Sequence, residues 1–311
     1  MSDLKAKEIM SNQPFEIIDG DALELPKDVM KQVFKPITDR CLVLTILGPQ
    51  SSGKSTLLNF LFGCDFATSE GRCTRGVYGT FFRFNDQRIS NFDGVFVIDT
   101  EGLFSITNKK DANKEDREDF DSKLVLFCLA VSDFVIINVR GNFDHNTERI
   151  LRICYDKLEE LRLPKDERPE FVIVLNQNNT SKTDESENEF EKIRTTLKFN
   201  ITKSLPQAYD ISNYTKKEVA VLSENEVLTK KMPSPHFLGE TTDLLKEILG
   251  KMKARKTAEK IYDRIDKFAQ IWSTILEFPH LSRLTSKEYR QLELQIKHWK
   301  KQQDEEFEGK Y

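Results

Sequence analysis

Cys41–Ser55 reads CLVLTILGPQSSGKS, an apolar run that passes directly into a glycine-bearing turn. Its first half, Cys41–Leu47, is an uncharged run of the kind that forms a strand buried on both faces. The second half satisfies G-x-x-x-x-G-K-[ST], from Gly48 to Ser55. A helical stretch, Lys54–Phe62, follows and ends at Gly63, a residue suited to a helix C-terminus. Strand, glycine-rich turn and helix in that order are the context in which this pattern cradles phosphate. Glycine lets the backbone curl until successive N–H groups face one phosphate, and the helix adds its positive end. The residues expected around that phosphate are Gly48, Gln50, Ser51, Ser52, Gly53, Lys54, Ser55 and Thr56. Lys54 would bridge the terminal phosphates, and the Ser55 hydroxyl would ligate Mg²⁺.

Working outward, Val95–Gly102 reads VFVIDTEG, four apolar strand residues followed by D-x-x-G. Asp99 at the strand's end is placed to hold the Mg²⁺ shell through water. The Gly102 amide is placed to donate to a γ-phosphate. Between the two motifs lies Gly71–Gly76, GRCTRG. Thr74 is the candidate to close over Mg²⁺ and the γ-phosphate from a switch loop. Arg75 either stabilises transition-state charge or faces solvent. Further β-rich runs are Tyr78–Phe84, Phe134–Val139, Phe171–Leu175 and Val219–Leu222. Ser122–Ala130, Glu148–Leu161 and Phe190–Leu205 have helical period. The expected class is α/β: a phosphate-loop, doubly wound, mostly parallel sheet with helices on both faces.

Composition narrows the field. The chain has 311 residues, 38% hydrophobic and 32% charged, with a net charge of -4. That is apolar enough for a substantial core, and no run approaches the ~20 residues of a spanning helix. A mildly acidic chain argues against a nucleic-acid partner. The five cysteines are scattered with no C-x-x-C pair, and the first ten residues contain no apolar signal core. A reduced, cytoplasmic setting is the expectation. His145, His236, His280 and His298 show no metal-binding spacing.

The three motifs together, GPQSSGKSTLLN, GRCTRG and DTEGL, resemble the large GTPases of the dynamin superfamily. The likeness is strongest to the G domains of the very large interferon-inducible GTPases and their up-regulator-of-proliferation relatives. It is carried most specifically by Phe66–Gly76, continues through Leu126–Gly141, and spans roughly residues 40–250. The resemblance implies GTP/GDP as the nucleotide, Mg²⁺ as cofactor, and nucleotide-linked homodimerisation through the G domain. Three positions depart from wider patterns. Ser51 stands where guanylate-binding and atlastin types carry a finger arginine. Leu103 follows D-T-E-G where Ras-like enzymes carry a water-orienting glutamine. After Phe171–Leu175 comes Asn176-Gln177-Asn178-Asn179 in place of N-K-x-D. That segment sits where the base is read but lacks the carboxylate, whose charge-assisted bonds are about twice as strong as neutral ones.

Three segments follow from these readings: 1–36 at the N-terminus, a GTP-binding domain over 37–250, and a helical part over 251–311. In the last, Ala258, Ile261, Ile265, Phe268, Trp272 and Ile275 recur at helical spacing, and Tyr289, Leu292, Ile296 and Trp299 repeat it beyond Pro279. Such stripes either pack back on the sheet or form a self-association arm. The acidic run Asp111–Asp121 is a solvated helix start or a subunit contact. Lys251–Lys260 is a basic helix face or a contact for an acidic membrane surface.

Overall fold

A computed structural model describes residues 14–34, 39–68, 76–84, 92–100, 102–103, 114–141, most of 150–161, 167–176, 201–205, 233, 235–255 and 258–277. The strands are β1 (Phe15–Ile18), β2 (Arg40–Leu47), β3 (Val77–Arg83), β4 (Gly94–Thr100), β5 (Phe134–Arg140), β6 (Glu170–Asn176), β7 (Ile201–Ser204) and the two-residue β8 (Glu259–Lys260). The helices named here are α1 (Lys27–Phe34), α2 (Lys54–Phe62), α3 (Lys114–Val131), α4 (Pro235–Ala254) and α5 (Ile261–Glu277).

One sheet carries the strands in the order β1-β3-β4-β2-β5-β6-β7. Pairing is parallel from β4 through β2, β5 and β6 to β7, and antiparallel at β1/β3 and β3/β4. β2 is therefore central, and the chain leaves it first to one side, through β3 and β4, and then to the other. Ligands of open α/β sheets bind beyond the carboxyl ends of the strands at such a switch point. The glycine-rich turn after β2 occupies it.

The uncharged strand runs have a direct cause, because β2, β4, β5 and β6 are covered on both faces. On one side Val43, Phe96, Ile98, Val135, Ile137 and Ile173 meet α1, α3 and α5. On the other Leu42, Leu44, Ile46, Val97, Ile136 and Val174 meet α2 and α4. Thr45 is the buried polar residue of β2, and its hydroxyl pairs with that of Ser132 at 2.5 Å.

The apolar stripe of α5 takes the first of its two arrangements. Ile261, Ile265, Phe268, Trp272 and Ile275 are all buried on the sheet. Phe268 sits edge-on to Phe96 and Phe127, at 5.5 and 6.0 Å between ring centres. The second stripe, Tyr289–Trp299, lies outside the described residues. So do Val219–Leu222 and the first residues of the acidic run, of which the rest is built into α3. α4 runs without a break across position 250, and β1 and α1 come from the first 36 residues.

One expected element differs. The helical period of Phe190–Leu205 predicts a helix through residues 201–204, which instead form β7, parallel to β6 from Val172↔Ile201 to Leu175↔Ser204. Ile201 and Thr202 are residue types that favour a strand over a helix, and β7 is the last described strand on that side of the sheet.

α5 also holds the N-terminal segment. The Trp272 indole N–H donates to the Leu23 carbonyl at 2.8 Å. Asp266 pairs with Lys27 at 2.9 Å and with Lys31. Trp272→Phe keeps the aromatic body and removes that bond to a half-buried carbonyl. We expect it to cost about 1–2 kcal/mol in urea-induced unfolding, with an unchanged m-value.

Candidate functional site

The turn after β2 is held by its neighbours on every side. Lys54 is 7% exposed, and its ammonium donates to the Pro49 carbonyl at 3.0 Å and the Gly48 carbonyl at 3.3 Å. It is thus folded over the loop it belongs to. Gly53 enters α2 with φ of 83°, and no side chain caps the helix start. Its first N–H groups are therefore left to the loop's interior, as an anion site requires. Ser51 takes φ of 59° at the exposed crest of the loop.

Two of these glycines are fixed by close approach. A Cβ on Gly48 would lie 2.2 Å from the Asn138 carbonyl oxygen, and one on Gly102 would lie 2.3 Å from Gln50 Cα. The D-x-x-G segment therefore packs backbone to backbone on the phosphate loop. The Leu103 N–H donates to the Gly48 carbonyl at 3.0 Å, and Pro49 and Leu103 form a parallel bridge.

Asp99 ends β4 fully buried, and the Ser55 hydroxyl donates to its Oδ2 at 2.6 Å. Two hard oxygen donors thus converge beside the lysine. That donor set fits Mg²⁺, which takes one or two protein oxygens and completes its shell with water and phosphate. Thr100 seals the strand end, its hydroxyl donating to the Ile46 carbonyl at 2.7 Å. Thr56 stands half-buried in the first turn of α2.

Of the residues expected to seat the base, Asn176 is described. It is 4% exposed, and its amide donates to the Ser52 carbonyl at 3.1 Å, tying β6 to the phosphate loop. Its own carbonyl accepts from Gly141 N–H at 2.7 Å. Gln177, Asn178, Asn179, Thr74 and Arg75 lie outside the described residues. Leu103, at the position of a water-orienting glutamine in Ras-like enzymes, is 1% exposed within the apolar core.

Two residues escaped the sequence reading. Asn138 in β5 is fully buried, and its amide donates to Ser52 O at 2.7 Å and Ser52 Oγ at 3.0 Å. A polar residue inside FVIINVR was the available signal. Asn59 in α2 exchanges two 2.9 Å bonds with the backbone of Phe66, fixing where the chain leaves for the switch segment.

Comparison with known proteins identifies the family. Residues 1–220 match the model of the URGCP-like GTPase domain, which is more than half of the chain. The chain belongs to the URGCP-like GTPase domain family. Human interferon-induced very large GTPase 1 is 37% identical over 152 residues, covering 47% of this chain and 6% of that protein. The SEY1 homolog of Theileria parva is 38% identical over 117 residues, covering 36% of this chain and 14% of that one. The chain therefore spans a small fraction of the curated relatives it matches. Among solved structures, Toc33 from Arabidopsis thaliana aligns over 83% of this chain and 94% of its own, with 15% identity and a TM-score of 0.41. That likeness is too loose to carry an argument. Within this URGCP-like domain the glycine-rich turn, Asp99 and Gly102 lie together beyond the carboxyl ends of β2 and β4.

Proposed function

We propose that this URGCP-like domain is a Mg²⁺-dependent GTP hydrolase that cleaves the β–γ bond and pairs with a second G domain when loaded. The observation that carries the reading is the convergence of Ser55 and Asp99, at 2.6 Å, beside Lys54 at the end of β2. Bound there, Mg²⁺ would neutralise charge on the β- and γ-oxygens. Ser55 would be its direct ligand, and Asp99 would hold its water shell. Lys54 exchanges the Gly48 and Pro49 carbonyls for phosphate oxygens, and the loop amides from Gln50 to Ser55 line the phosphate chain. Gly102 N–H meets the γ-phosphate, and its lack of a Cβ permits the approach to Gln50. Thr74 would complete the metal shell, Arg75 would be available for transition-state charge, and Asn176–Asn179 would seat the guanine.

A second reading is favoured by one observation. Leu103 is buried and its amide is tied to Gly48, so no side chain at that position orients a water. A nucleotide-gated scaffold with negligible turnover would use the same site without hydrolysis.

The test is a fluorescent-nucleotide titration with GTP, ATP and XTP analogues, with and without Mg²⁺, followed by single-turnover hydrolysis over rising protein concentration. GTP is expected to win by at least about tenfold, roughly 1.4 kcal/mol. The triphosphate should weaken when Mg²⁺ is removed, and hydrolysis should accelerate with concentration. Flat, near-zero rates support the scaffold, and equal binding of all three nucleotides overturns guanine specificity.

A further inference from the structure

Asn138 sits in the middle of β5, between Ile137 and Val139, in a strand otherwise apolar up to Arg140. Its side chain is fully buried. Both of its short contacts go to one residue of the phosphate loop, Ser52, at the carbonyl oxygen and at the hydroxyl. Its own Oδ1 has no hydrogen-bond partner among the described residues. An apolar side chain of similar size would fill the space without leaving a buried acceptor unpaired. The contact to Ser52 is therefore what the asparagine adds.

The consequence follows from peptide geometry. The backbone contains no cis peptides among the described residues, and in a trans peptide the C=O and the next N–H point in opposite directions. The Ser52 carbonyl is drawn back toward the sheet by Asn138 from β5 and by Asn176 from β6. Gly53 N–H is then turned the other way, into the loop's interior. There an N–H meets phosphate at no reorganisation cost on binding.

We infer that Asn138 is a positioning residue, which fixes the Ser52–Gly53 peptide so that Gly53 N–H is aimed in advance at the nucleotide's β-phosphate. This rests on the guanine-nucleotide reading above. The main-chain carbonyl of Asn138 reinforces it by closing off the space behind Gly48. The same strand residue thus fixes the loop at its first glycine and at its second.

The effect should be specific to the phosphate that the loop encircles. Calorimetric affinities for GDP and for GMP, which lacks the β-phosphate, give a ratio free of any general loss of folded protein. The variants are Asn138→Leu and Asn138→Asp, of similar size and both without the amide donors. Thr80→Val serves as control, because Thr80 is likewise fully buried, its hydroxyl has no partner among the described residues, and it lies in β3. Both Asn138 variants are expected to lower the GDP-to-GMP affinity ratio about tenfold, while Thr80→Val leaves it within twofold. If either Asn138 variant fails to fold, as its melting curve would reveal, Asn138→Ser takes its place with the same expectation. Equal losses for GDP and GMP, or a fall in one of the two variants alone, overturn the inference. Failure of the wild-type chain to bind GDP at all overturns the nucleotide reading itself, and is distinguished by that arm.

Discussion

Lys54→Ala is expected to weaken GTP and GDP binding on the order of a hundredfold, while the melting temperature of the nucleotide-free protein falls by only a few degrees. The reason is the double life of the side chain. Without nucleotide its ammonium rests on the Pro49 and Gly48 carbonyls at 3.0 and 3.3 Å. Those are charge-assisted bonds within a loop that remains partly open to water, as Pro49 and Gln50 are half-exposed. In the proposed nucleotide complex the same ammonium would face phosphate oxygens. Two charge-assisted bonds to a formal anion contribute roughly 3 kcal/mol together, which is on the order of a hundredfold in affinity. Equilibrium titration and a thermal melt on the same preparation separate the two effects. A variant that binds nucleotide as well as wild type would remove Lys54 from the phosphate site.

Arg264→Ala is expected to be the most destabilising single change at the far end of the sheet, at about 3–5 kcal/mol. Arg264 projects from α5 to Asp133 at 2.9 Å, and both side chains are nearly inaccessible, at 5% and 9%. Asp133 also accepts the Val43 N–H at 2.8 Å, so it joins α5 to the root of β2. Burial raises the Asp133 carboxyl above the ordinary carboxylate range, opposed chiefly by Arg264 and then by the Val43 amide. An acid raised in the folded state is charged there at a cost. That cost is fully present above the folded pKa and is relieved as pH falls through it toward the unfolded value. Removing Arg264 raises the carboxyl further. The stability gap between wild type and Arg264→Ala should therefore be larger at pH 7 than at pH 5, in urea unfolding at both. A gap independent of pH would mean that lost packing, not the uncompensated carboxylate, sets the penalty.

The parts legible in the sequence are those whose chemistry is local. Strand, loop and helix from Cys41 to Phe62 are contiguous, and each residue's part follows from its neighbours. The same holds for Val95–Gly102, whose strand and turn adjoin. α5 was readable because its stripe is regular. The illegible parts depend on distant partners. β1 has four residues, FEII, and becomes a strand because β3 offers it an edge. α4 carries Phe237, Thr241, Leu244, Ile248 and Met252 at helical spacing, a stripe present in the sequence but interrupted by Gly239 and Gly250. β7 lies in a stretch whose period suits a helix, and pairing with β6 outweighs that local preference. Asn138 and Asn176 are separated by several dozen residues in the chain and meet at one carbonyl of the loop, a convergence that spacing does not encode.

The long reach of α5 has a bearing on how the protein comes into being. Trp272 and Leu23 are 249 residues apart, and Asp266 and Lys31 are 235 apart. Contacts of such separation close late, because the chain must pay for the loop before it gains the contact. On a ribosome, the phosphate loop emerges long before the helix that covers Phe34, Phe96 and Phe127. The nascent sheet therefore waits with one aromatic face bare, open to chaperones or to neighbouring chains, until the residues of α5 arrive to close it.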